Sequence, residues 1–73
     1  MEDHEFTKKL AKAIQSERMA KNKNQGDLAD CIGVSQQQVQ KYESGTNSPS
    51  VYRLYKIAKV LNVKSWHRLL PKL

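Results

Sequence analysis

The chain has 73 residues and a net charge of +6, with a pI near 9.7. A chain of this length is expected to form one small domain that buries only about 60% of its unfolded surface, which leaves room for four or five short helices but little for an enclosed active-site cavity. The positive excess favours a polyanionic partner, although charge alone does not separate DNA from RNA or an acidic membrane.

Residues from about His4 to Lys21 read as a first helix. Phe6, Leu10, Ala13 and Ile14 share one face, Met19 extends it, and Lys8, Lys9 and Lys12 occupy the other. Asn22, Lys23 and Asn24 are weak helix formers and mark a break, after which Asn24 can cap a second helix with Asp27 at its positive end. From Gln25 to Ser44 the pattern is two short helices joined by a glycine turn. Leu28, Ala29 and Ile32 form one apolar stripe, Val39 and Tyr42 the next, and Gly33 stands between them where the chain can take a positive φ. Ser35 is placed to cap the later helix, with Gln38 in capping-box position. The outer face of that helix is polar: Gln36, Gln37, Gln40, Lys41 and Ser44. Gln40 lies at its edge, toward a groove wall or toward water.

Gly45-Thr46-Asn47-Ser48-Pro49 is turn-rich. Ser48 is the expected cap and Pro49 the expected first residue of a fourth helix, with Val51, Leu54, Ile57, Ala58 and Leu61 facing inward and Asn62 ending it. Ser65 begins a fifth, short helix, in which Trp66, Leu69, Leu70 and Leu73 are spaced for one face and Pro71 sets the limit. Trp66, Leu69 and Leu70 have two readings, closing the core against Phe6 and Leu10 or forming a two-fold contact with a second copy, to which Trp66 or Leu70 would contribute. The expected fold is all-α, a compact five-helix bundle within a single domain spanning residues 1–73.

Charge is unevenly distributed. Residues 1–43 carry seven basic and seven acidic side chains, whereas residues 44–73 carry six basic ones and no acid. Cys31 is the only cysteine, so no disulfide framework or metal cluster is expected, and its thiol reads as buried or half-buried and structural. His4 and His67 stand apart from any ligand set and read as surface residues. With no nucleophile–base arrangement, phosphate-binding glycine loop or paired carboxylates, neither an enzyme nor a cofactor is expected. The opening MEDHEF is acidic and leads into no apolar stretch, and no run approaches the roughly 18 residues that cross a bilayer. A cytoplasmic, nucleoid-associated location is the natural expectation.

Several of these pieces together resemble the phage repressor and Cro type (XRE-like) of helix-turn-helix family, over about residues 14–70. They are Asn24-Gln25-x-x-Leu28-Ala29, Gly33-Val34-Ser35, Val39, Glu43-x-Gly45, Asn47-Ser48-Pro49-Ser50 and the run from Lys56 to Val63. The resemblance implies a lambda repressor-like DNA-binding domain in which Gln36, Gln37 and Lys41 read bases, joined by Gln40 at the face's edge. It also implies that Gln25, Ser35, Thr46, Asn47 and Ser48 meet the phosphate backbone, and that Arg18 and Glu43 form an ion pair. Thr46 and Asn47 stand where the family usually has basic residues, so fewer phosphate contacts are expected there. The chemistry suits the reading, since glutamine can pair with adenine N6 and N7, and lysine can donate to guanine O6 or N7.

The function expected is therefore that of a sequence-specific regulator of transcription bound to a palindromic operator as a homodimer. The rival is the same fold used as a protein-interaction module for an acidic partner such as a toxin.

Overall fold

The computed structural model describes residues 3–63. Among the described residues the chain forms four α-helices and no strand: α1 (Asp3–Ala20), α2 (Gln25–Ile32), α3 (Gln36–Ser44) and α4 (Val51–Val60). The all-α expectation holds. The five-helix count is not matched by these four, and the helix expected from Ser65, with Trp66, Leu69 and Leu70, lies outside the described residues.

All four helices stop by the same device. One residue turns left-handed (Asn22 at φ 57°, Gly33 at 75°, Gly45 at 81°, Asn62 at 58°). The next N–H then reaches back five residues: Lys23 to the Arg18 carbonyl at 3.2 Å, Val34 to Ala29 at 3.0 Å, Thr46 to Lys41 at 3.1 Å and Val63 to Ala58 at 2.8 Å. Glycine and asparagine are the residue types that enter this region at least cost, and the returning bond satisfies a carbonyl the helix would otherwise leave open.

The starts are equally local. Asn24 Oδ1 accepts from the Asp27 N–H at 2.7 Å, and Asp27 Oδ2 accepts from the Asn24 N–H at 3.2 Å, a complete capping box for α2. Ser35 Oγ accepts from the Gln38 N–H at 3.1 Å, which is the hydroxyl half of the box expected for α3. The fourth helix departs from expectation. Its cap is Ser50, whose Oγ accepts from the Arg53 N–H at 3.1 Å, and Pro49 lies before the helix. The Ser48 hydroxyl is instead engaged with Thr7 of α1 at 3.2 Å, and the helix begins two residues later than Pro49 would start it.

Leu10, Ala11 and Ile14 of α1, Leu28, Ala29 and Ile32 of α2, Val39 and Tyr42 of α3, and Leu54, Ile57 and Ala58 of α4 are buried, with Leu61 and Val63 closing the cluster. Each large aliphatic side chain taken out of water here contributes about 1.5–3 kcal/mol before conformational entropy is set against it. α3 packs on both α1 and α2, and α4 packs on α2. Ala29 is buried among these helices, where a methyl group lets neighbouring backbones come close.

Three side chains differ from the apolar faces read in the sequence. Met19 is 60% exposed, because one turn beyond Ile14 the inward position falls on Arg18. Val51 is 73% exposed: as the first residue of α4 it projects past the cluster that Leu54 begins. The Cys31 thiol, expected to be buried or half-buried, is exposed, since it lies about a quarter-turn off the stripe formed by Leu28, Ala29 and Ile32.

Candidate nucleic-acid interface

The inward side of α3 is Val39, Tyr42 and Glu43, spaced three and four residues apart. Packing that stripe against α1 and α2 turns Gln37, Gln40, Lys41 and Ser44 to solvent, and all four are exposed. Gln36 occupies the first turn and is also exposed, on the flank toward α2. Its Oε1 lies 3.5 Å from where a Cβ of Gly26 would stand. Gln38, beside the cap, is half-buried. The polar side of α3 is therefore unobstructed within the described residues.

What fixes that side is a charged network behind it. Glu43 is the one buried charged residue among those described. Arg18 meets it with two hydrogen bonds, Nε to Oε2 at 2.7 Å and Nη2 to Oε1 at 3.0 Å, and the two side chains are 11% and 2% exposed. Such a fork both strengthens the pair and fixes its plane. The third guanidinium nitrogen, Nη1, donates to the Lys23 carbonyl at 2.7 Å, and Gln25 Nε2 donates to Glu43 Oε1 at 3.0 Å. One carboxylate thus ties α1, the start of α2 and the last turn of α3 together. Gln25 is half-buried, with one of its two amide N–H groups committed to Glu43.

The corner after α3 is tightly wound. The N–H groups of Gly45, Thr46 and Asn47 and the Ser44 hydroxyl all converge on the Lys41 carbonyl. Ser44 Oγ and Thr46 Oγ1 lie 2.8 Å apart, and Thr46, Asn47 and Ser48 are exposed. Ser35 is exposed at the opposite end of α3, its oxygen accepting the cap bond. Gln25, Ser35, Gln36, Gln37, Gln40, Lys41 and residues 46–48 are thus gathered around one helix, whereas Trp66 and Leu70 lie outside the described residues.

Two features were missed in the sequence. Arg53 of α4 donates Nη1 to the Ile32 carbonyl at 2.7 Å, placing a cation at the negative end of α2. Thr7 and Lys8 of α1 sit against the α3–α4 corner. Neither carries a local signal, because both are contacts between elements far apart in the chain.

Among the described residues no group of acidic, histidine or cysteine side chains could hold a metal ion. No helix there is long and apolar enough to cross a membrane.

Residues 14–65 match the family model described as helix-turn-helix. The chain belongs to the XRE-type helix-turn-helix family. The matched span runs from mid-α1 past the end of α4 and contains every described residue of this interface except Thr7 and Lys8. Among curated relatives, an uncharacterized transcriptional regulator in the ATPase CF(0) region of Rhodospirillum rubrum is 45% identical over 60 residues, covering 82% of this chain and 56% of its own length. The cryptic phage CTXphi transcriptional repressor RstR of Vibrio cholerae is 40% identical over 55 residues, covering 75% of this chain and 49% of its own. An uncharacterized helix-turn-helix transcriptional regulator of Sinorhizobium fredii is 42% identical over 55 residues, covering 75% and 38%. This helix-turn-helix chain thus spans about half the length, or less, of these curated relatives.

Proposed function

We propose that the chain is a sequence-specific, double-stranded DNA-binding regulator of transcription, of the Cro-like, controller or antitoxin type, acting in the cytoplasm at the nucleoid. The observation that carries the reading is the outer side of α3: an exposed row of amides and one lysine on a helix whose other side is fixed by burial and by Arg18–Glu43. In this reading α3 enters the major groove and Gln36, Gln37, Gln40 and Lys41 meet base edges. Gln25 uses its second amide N–H on a phosphate, Ser35 its hydroxyl, and Thr46, Asn47 and Ser48 lie along the same backbone strand. One such helix spans few base pairs, so a homodimer on a two-fold operator gives useful specificity, with Trp66 and Leu70 as candidate dimer contacts.

One observation favours the rival reading, a module that binds an acidic protein such as a toxin. On the outward side of α4, Tyr52 and Tyr55 are exposed, with Lys56 Nζ 5.4 Å and Lys59 Nζ 6.0 Å from the respective ring centres. Titrating affinity against salt on a selected site and on random duplex separates the two. Groove reading predicts a steep fall with salt and a large preference for the selected site. Weak binding without that preference contradicts it and supports the protein-binding module.

A further inference from the structure

The corner between α3 and α4 offers hydrogen-bond donors but no charge of its own, since residues 44–50 contain neither lysine nor arginine. The fold brings a cation to it from α1. A Cβ on Gly45, which sits at φ 81°, would stand 3.4 Å from Lys8 Cγ and 3.5 Å from Lys8 Cα. The space a side chain at position 45 would enter is therefore bordered by the Lys8 stem and backbone. Beside it the Ser48 hydroxyl donates to Thr7 Oγ1 at 3.2 Å, so two successive residues of α1 hold the corner at two points. Lys8 is exposed and has no acidic partner among the described residues, whereas its neighbour Lys9 is paired with Glu5 at 3.3 Å.

From this juxtaposition we propose that Lys8 is a phosphate-contacting residue, supplying the positive charge of the α3–α4 corner. The inference rests on the DNA-binding reading above. The Thr46 and Ser48 hydroxyl protons are engaged within the corner, toward Ser44 and Thr7, which leaves the exposed Asn47 amide as the side-chain donor to a phosphate, and the Lys8 ammonium, three bonds beyond the Cγ beside Gly45, supplies its counter-charge. An ammonium on a flexible stem acts as a point charge, so it contributes to affinity on every sequence and to discrimination on none.

The test is the salt dependence of binding by the full chain, wild type and variants, to a selected duplex and to a random duplex of equal length. Each neutralised phosphate contributes about 0.9 to the slope of log K against log salt. Lys8→Gln is expected to make the slope shallower by about that amount on both duplexes and to leave the base preference unchanged. Lys8→Arg keeps the wild-type slope, and so does Lys9→Gln, which removes the same charge one residue away. Thermal melts of the three variants should match wild type. A Lys8→Gln slope equal to wild type, with Gln25→Ala still weakening both duplexes, overturns the role of Lys8 alone. Equal shifts for Lys8→Gln and Lys9→Gln also overturn it, as they reflect net charge rather than position. A wild-type slope near zero overturns the DNA reading itself, and Lys8 with it.

Discussion

The two sides of α3 are built on opposite principles. Inward, Val39, Tyr42 and Glu43 are buried, and Glu43 is held by three side-chain hydrogen bonds from Arg18 and Gln25. Outward, Gln37, Gln40 and Lys41 are exposed, joined by Gln36 at the helix start. Nine residues thus combine a face whose every group is placed with one whose groups are free to meet a ligand. The placed side costs freedom to build and orients the helix, and the free side contributes little to folding. Substitutions on the first should therefore read out as stability, and on the second as binding.

The largest expected effect is at the ion pair. Arg18→Met leaves the Glu43 carboxylate buried with only the Gln25 amide, and loss of one partner of a buried pair costs about 3–5 kcal/mol. Small domains hold about 5–15 kcal/mol in total, so urea unfolding should show a much lowered midpoint. An unchanged midpoint would mean that the inward side is not what fixes α3.

Next come the turns on either side of the helix. Gly33→Ala places a methyl in open space, so its cost is that of the left-handed backbone alone, about 1–2 kcal/mol. Gly45→Ala carries the same backbone cost, and its methyl would meet the Lys8 stem at 3.4 Å, an ordinary van der Waals contact, so it should unfold at about the same urea concentration as Gly33→Ala. A markedly lower midpoint for Gly45→Ala would show that α1 lies closer to that corner than this contact allows.

The smallest effects on stability belong to the outward side. Gln37→Ala and Gln40→Ala should change unfolding free energy by no more than about 0.5 kcal/mol. On the binding reading, Gln37→Ala nevertheless loses about 1–3 kcal/mol of discrimination at one base pair, measured by competition between matched and single-mismatch duplexes. Gln25→Ala, by contrast, should weaken all duplexes alike.

Much of the scaffold was legible because its signals are local. Asn24, Ser35, Gly33 and Asn62 each cap or end a helix through bonds to residues at most five positions away, and the stripes of α2 and α3 are complete within eight or nine residues. The start of α4 was misread because Ser48 and Ser50 are equivalent by composition. What separates them is a hydroxyl contact with Thr7, 41 residues earlier, which no local pattern carries. Met19 and Val51 are apolar residues at helix ends, where spacing continues but the core does not. On the site, the exposure of the α3 amides follows from the apolar stripe opposite. The commitment of Gln25 to Glu43 and the approach of Lys8 to Gly45 depend on how α1 crosses α3, which periodicity does not specify.

The most direct test is a pair of site selections from one random duplex pool, with wild-type protein and with Gln36→Ala. If the outer side of α3 reads bases, wild type recovers a single motif with two symmetric half-sites. The variant then recovers the same motif with one position relaxed in each half. Recovery of no motif by wild type, or of an identical motif by both proteins, would contradict base reading from that side of the helix.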